Sequence, residues 1–150
     1  MKKSFIFSGI VIAAIAVVSV PFLTSSKEQE NSSPEVFVQN YIELGQESNY
    51  EELADLVIDD RFNDDREMKI STYEMLEKDV PALESYEIKE VKDVTADSAT
   101  VVTLLEFKDG SIEQRPMYLV KKDTDWKLHI SAQNASDDED YKQIKQPDGA

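Results

Sequence analysis

The chain contains no cysteine. A disulfide framework, a thiolate metal site and a cysteine nucleophile are therefore excluded, as is any lipid anchor that attaches to a Cys. Histidine is nearly absent too, with His129 the single example. A Ser/His/Asp constellation would have to be built around that one ring, and no local pattern points to it. Positive charge is scarce: 16 Lys and Arg stand against 31 Asp and Glu, for a formal net charge of −15. Nucleic acid and anionic headgroups reward clusters of Lys and Arg, so neither is an expected partner of the folded part. No phosphate loop, zinc spacing or nucleophile elbow occurs, and no cofactor is expected.

What is present begins with a leader. Lys2 and Lys3 precede an apolar run from Phe5 to Leu23, broken only by Ser8, Gly9, Ser19 and Pro21. This is the pattern of a secretory signal, and the run is also nearly long enough to span a bilayer core of roughly 30 Å at about 1.5 Å per residue. Cleavage after Thr24-Ser25-Ser26 and retention as an anchor through residues 5–23 both fit. In either case the two lysines hold the N-terminus in the cytoplasm and the remainder faces outward, secreted or tethered to the membrane. The expected divisions are 1–26 signal or anchor, 27–33 tether, 34–131 one folded domain, and 132–150 a disordered acidic tail.

Ser33-Pro34-Glu35 combines an N-cap, a proline at the first helical position and early acidic charge. Phe37, Val38, Tyr41, Ile42 and Leu44 follow at helical spacing, predicting a helix from Pro34 to about Gln46. Asn49 and Glu52 open a second short helix that carries Leu53, Leu56 and Val57 and ends near Asp59 to Arg61. Met68, Ile70, Tyr73, Leu76 and Val80 suggest a third, stopped by Pro81.

From Glu84 the period becomes two. Tyr86 and Ile88 alternate, while Val91 and Val94 fall out of phase, predicting a bulge near Lys89-Glu90. Ala99 to Lys108 and Ile112 to Lys121 form the next strands, joined by a tight primed turn at Asp109-Gly110. Trp126, Leu128 and Ile130 make the last, with Lys127 and His129 facing the other way. Three helices before a four-strand antiparallel meander predict an α+β fold, with the helices packed on one face of the sheet.

This order, with the Lys108-Asp109-Gly110-Ser111 hairpin, Leu119-Val120-Lys121-Lys122 and the Asp125-Trp126-Lys127-Leu128 ending, resembles the nuclear transport factor 2-like (cystatin-like) superfamily. It is similar in particular to small bacterial cell-envelope proteins of unknown function. The resemblance spans about residues 33–131 and implies a curved, cone-shaped sheet. Enzymes of the superfamily use Asp, His or Tyr groups in a conical pocket, but none of their catalytic motifs matches positions here. Many of the envelope relatives are lipid-anchored through a Cys, which this chain lacks.

Three candidate sites remain. Asp59, Asp60, Asn63, Asp64 and Asp65 offer oxygen ligands of the kind Ca²⁺ takes, yet without calcium-loop spacing; capping of the next helix explains them equally well. Tyr41, Tyr73, Tyr86, Phe107, Tyr118 and Trp126 are candidates to line a pocket between helices and sheet, or else belong to the core. His129 is the natural general base, although alternation puts it opposite Trp126 and Leu128. The function expected is a non-enzymatic extracytoplasmic domain that binds an envelope protein or small ligand; the alternative is a small acid/base hydrolase or isomerase. Homodimerisation through a sheet-face patch of Val102, Leu104, Met117 and Leu119 is a further expectation.

Overall fold

The computed structural model describes residues 33–131, 138–147 and 149, so the expected signal or anchor (1–26) and most of the expected tether (27–33) lie outside the described residues. Helix α1 spans Pro34–Gln46, as its sequence predicts, with Pro34 in its first turn. The Ser33 hydroxyl caps it by accepting from the Val36 amide at 3.3 Å. Phe37, Val38, Ile42 and Leu44 form its buried face. Helix α2 (Tyr50–Asp55) starts where Asn49 Oδ1 accepts from the Glu52 amide. Among the described residues no helix is long and apolar enough to cross a membrane.

The second helix stops earlier than its apolar spacing suggests, because Val57–Asp59 is not helical but forms strand β1. A single 3₁₀ turn, Asp60–Phe62, follows, and then helix α3 (Arg66–Leu76). Asp65 caps α3 by accepting from the Met68 amide at 2.9 Å. The third helix differs from expectation in face as well as length. Met68, Leu76 and Val80 are exposed, whereas Lys69 is buried.

Four antiparallel strands come next: β2 (Leu83–Lys92), β3 (Ser98–Phe107), β4 (Ile112–Lys122) and β5 (Asp125–Ile130). The register of β2 on β3 slips between Ile88 and Glu90, so the expected bulge is present. It brings Val91 opposite Val101 while Tyr86 stays opposite Leu105, so both phases of β2 turn toward the helices. The β3–β4 turn holds three residues, since Phe107 N–H donates to the Ser111 carbonyl, and Gly110 has φ of +81°. Asp109 does not share the positive φ that a two-residue primed turn would require of it.

The sheet is larger than a four-strand meander and is mixed. Strand β1 adds to β5 in parallel, with Val57 opposite Leu128 and Asp59 opposite Ile130. Strand β6 (Lys142–Lys145) pairs antiparallel with Ile112 to Gln114 of β4. The tail is therefore not without structure: residues 138–147 dock on the sheet, although 132–137 lie outside the described residues.

The core sits between the helices and one face of this sheet. Phe37, Val38, Leu53, Val57, Val101, Leu105, Met117, Leu119, Trp126 and Leu128 form it. Each large apolar side chain taken from water contributes about 1.5–3 kcal/mol, making this layer the main stabilising element. Met117 and Leu119 belong to it, so they cannot contribute to an outer apolar patch with Val102 and Leu104.

Candidate functional site

Alternation on β4 puts Glu113, Arg115, Met117 and Leu119 on the helix-facing side, and on β3 Thr103 lies opposite Arg115. The core is thus apolar at one end and polar at the other. Strand β1 feeds the polar end, because Val57 and Asp59 share its inward face. Asp59 is completely buried.

Four donors meet the Asp59 carboxylate. Arg61 Nε reaches Oδ1 at 2.8 Å and Arg61 Nη2 reaches Oδ2 at 2.6 Å. The Arg61 amide donates to Oδ1 at 3.1 Å and the Tyr73 hydroxyl to Oδ2 at 3.0 Å. Burial alone would raise the carboxyl pKa, but Arg61 and Tyr73 outweigh it and hold Asp59 below the ordinary carboxylate range. Burial, reinforced by the Asp59 charge, drives the Tyr73 phenol well above its usual value. Tyr41 on α1 is also raised, by burial, with Arg115 and Arg61 pulling the other way. The result is an anion held by the Arg61 guanidinium and by the Tyr73 phenol.

On the same side, Arg115 Nη2 meets Glu113 Oε1 at 2.5 Å, and Tyr141 from the tail donates to Glu113 Oε2 at 2.9 Å. Thr103 donates to the Arg115 carbonyl at 3.0 Å.

His129 lies on the other face of β5, as alternation requires. Its Nε2 is 2.8 Å from Asp60 Oδ2, and the two side chains are 36% and 50% exposed. This pair is open to water.

The acidic run of residues 59–65 is dispersed by the fold. Asp59 binds Arg61 and Tyr73, Asp60 binds His129, Asp64 binds Lys69 and Asp65 caps α3. Asn63 takes the left-handed conformation that ends the 3₁₀ turn. Among the described residues no three His, Asp or Glu side chains converge as a metal site would need.

The six aromatics are divided as well. Tyr41, Tyr73, Tyr86 and Phe107 pack against the core, and Trp126 is part of it. Lys121 places its ammonium 4.8 Å above the Trp126 ring. Tyr118 is on the outer face, where its hydroxyl donates to Asp138.

Two clefts open elsewhere on the surface. One, of about 350 Å³, is bordered by Asp55, Arg66, Lys69, Lys122, Asp123 and Lys127. It is strongly charged but largely self-satisfied: Arg66 pairs with Asp55 at 2.6 Å, Lys69 with Asp64 at 2.7 Å, and Lys127 donates to the Asp55 carbonyl at 2.8 Å. The other, about 290 Å³, includes Tyr86, Leu104 and Ile112.

Sequence reasoning missed the Asp59, Arg61 and Tyr73 cluster. The only signal for it was the alternation Val57-Ile58-Asp59, too short to separate from a helix end.

No family model matches the chain, and no curated protein sequence matches it. Among solved structures, a chain from Campylobacter jejuni, described provisionally as an NTF2-like transpeptidase, is similar at 17% identity with a TM-score of 0.49. The match covers 67% of this chain and all of the other.

Proposed function

We propose that this chain is a non-enzymatic binding domain of the nuclear transport factor 2-like layout, carried out of the cytoplasm by its leader and working in the cell envelope. The observation that carries the reading is the saturation of Asp59. The polar end of the core, where an acid/base pocket would have to be, holds a carboxylate already met by four donors. The chain has no cysteine and its one histidine lies on the other face of β5, so among the described residues the inner face holds neither a thiol nor an imidazole. Structure of this kind is suited to presenting surfaces.

The test is crosslinking of the full chain in its native host, followed by intact-mass analysis of medium and membrane fractions. A product beginning near Lys27 in the medium, or a full-length chain in the membrane, either one carrying crosslinked adducts, is the expected result. Full-length chain confined to the cytosol without adducts would overturn the reading.

One observation favours the alternative of an acid/base enzyme: the His129 and Asp60 pair, in which a carboxylate orients an accessible imidazole. A hydrolytic activity lost in both His129→Gln and Asp60→Asn would move the assignment to that class.

A further inference from the structure

The charged cleft of about 350 Å³ is built from four elements: the end of α2, strand β1, the segment that leads into α3, and the hairpin between β4 and β5. Its volume is within the range of small-molecule sites, which run from about 300 to 1,000 Å³. Its walls are unlike the apolar ones such sites usually have. Four aspartates and four lysine or arginine side chains line it, so the two signs of charge are balanced.

Part of that lining is closed on itself, since Arg66 pairs with Asp55 and Lys69 with Asp64. The hairpin side is open. Lys122, Asp123 and Asp125 form no ion pair and no side-chain hydrogen bond among the described residues, and Lys127 reaches a main-chain carbonyl, that of Asp55, rather than a carboxylate. Lys122 and Asp125 are cross-strand neighbours in the β4–β5 register, yet they do not join. Lys69 adds a further donor. Its side chain is 5% exposed, and of the three hydrogens an ammonium carries, two go to the Val57 carbonyl and the Asp64 carboxylate. The last has no acceptor among the described residues, and a buried donor left in that state favours any acceptor that enters the cleft.

We propose that this cleft binds a small zwitterion of the α-amino acid type, its carboxylate taken by Lys122 and the remaining Lys69 N–H, its ammonium by Asp125 and Asp123. Charge balance selects that class. A simple anion meets the lysines but also the carboxylates beside them, and it approaches a chain of net charge −15. A simple cation meets the reverse conflict inside the cleft. A ligand with both charges satisfies both sets of unpaired groups. The apolar part of the wall, from Ala54, Val57 and Ile58, is small and suits a short aliphatic side chain. The proposal rests on the reading of the chain as a binding domain and deepens it by naming a ligand class.

Lys122, Asp123 and Asp125 are exposed, so each contact they make replaces water and adds little by itself. Lys69 differs, because its ammonium is already desolvated and gains an acceptor without losing hydration. With so few atoms to contact, a ligand the size of alanine is expected to bind in the millimolar range.

The test is an NMR titration of the full-length chain with alanine, acetate and ethylammonium as separate probes, followed at the amides of Ile58, Asp64 and Lys122 to Asp125. Alanine should give saturable shifts there, with acetate and ethylammonium each weaker by about tenfold or more. Lys122→Gln and Asp125→Asn, at exposed hairpin positions outside the core, should each weaken alanine binding by about tenfold. Equal affinity for alanine and either single-charge probe, or alanine binding unchanged in both variants, would overturn the zwitterion assignment. No shift with any probe up to tens of millimolar would overturn the site itself. Either failure is separate from that of the envelope-binding reading, because crosslinking in the host does not depend on this cleft.

Discussion

Arg61 closes on Asp59 from only two residues away, its Nε and Nη2 lying 2.8 and 2.6 Å from the two carboxylate oxygens. The reversal that makes this fork possible is the 3₁₀ turn Asp60–Phe62, placed directly after the inward-facing end of β1. Chain direction, not distant packing, brings the ions together, and Tyr73 from α3 completes the shell. The Tyr73 hydrogen bond to Asp59 thereby ties the parallel edge strand to the third helix.

Replacing Asp59 with Asn keeps the shape but turns an amide donor toward a guanidinium or a phenol. Breaking a fully buried ion pair costs about 3–5 kcal/mol. Arg61 is 39% exposed and can be rehydrated, so the expected loss is about 2–4 kcal/mol. Tyr73→Phe removes one hydrogen bond and should cost about 1 kcal/mol. Urea unfolding of the two variants checks both values, and an Asp59→Asn midpoint equal to that of the parent would show that the pair contributes nothing net.

The depressed carboxyls give the acid limit of stability. Burial opposes ionisation of Asp59 but Arg61 and Tyr73 prevail, and Asp64 is lowered chiefly by its bond to Lys69. The unfolded chain therefore takes up protons at higher pH than the folded one. These contributions are complete above the ordinary carboxylate pKa of about 4 and are lost as pH falls below it, through the folded-state values. The urea midpoint should hold from pH 7 to 5 and drop steeply below 4. Asp59→Asn should show a shallower drop, and identical slopes would remove Asp59 as a cause.

Lys69 presents a different balance, because its ammonium is almost wholly buried yet donates to the Val57 carbonyl and to Asp64, both at 2.7 Å. Lys69→Met fills the same space with a similar stem but orphans the Val57 carbonyl of strand β1. The expected cost is about 1–3 kcal/mol. Because β1 has three residues, the loss should appear first as faster amide exchange at Val57 to Asp59. Unchanged exchange there would place the role of Lys69 elsewhere.

These clusters explain which parts of the fold could be read from the sequence. Ser33-Pro34 and the spacing of Phe37, Val38 and Ile42 specify α1 locally, and the phase change between Ile88 and Val91 records the bulge. Strand β1 left no such trace, since three residues cannot establish a period and parallel pairing needs a distant partner. Lys142–Lys145 is polar at three of four positions, and its pairing uses main-chain atoms that side-chain patterns do not report. Asp59 looked like one more member of an acidic run because its partners, apart from Arg61, arrive from another element. Of the three candidate sites, the run of residues 59–65 and the six aromatics each proved to be distributed among several structural roles.

Two glycines should respond in opposite directions to the same substitution. Gly110 closes the β3–β4 loop at φ of +81°, a conformation in which a Cβ crowds the backbone, and Ser111 is fixed beside it by Asp109 through bonds of 2.9 and 2.6 Å. Gly110→Ala should cost about 1–2 kcal/mol, which for a domain of this size lowers Tm by roughly 4–16 °C. Gly45 lies in the last turn of α1, and a Cβ added there would meet Leu53 Cδ1 at 3.6 Å, an ordinary contact. Gly45→Ala reduces the freedom of the unfolded chain and should stabilise by about 0.4–1 kcal/mol. Thermal unfolding of the two variants side by side tests whether the hairpin conformation, rather than loss of glycine in general, sets the sign. If both variants shifted Tm the same way, the positive φ at Gly110 would not be a structural requirement of the loop.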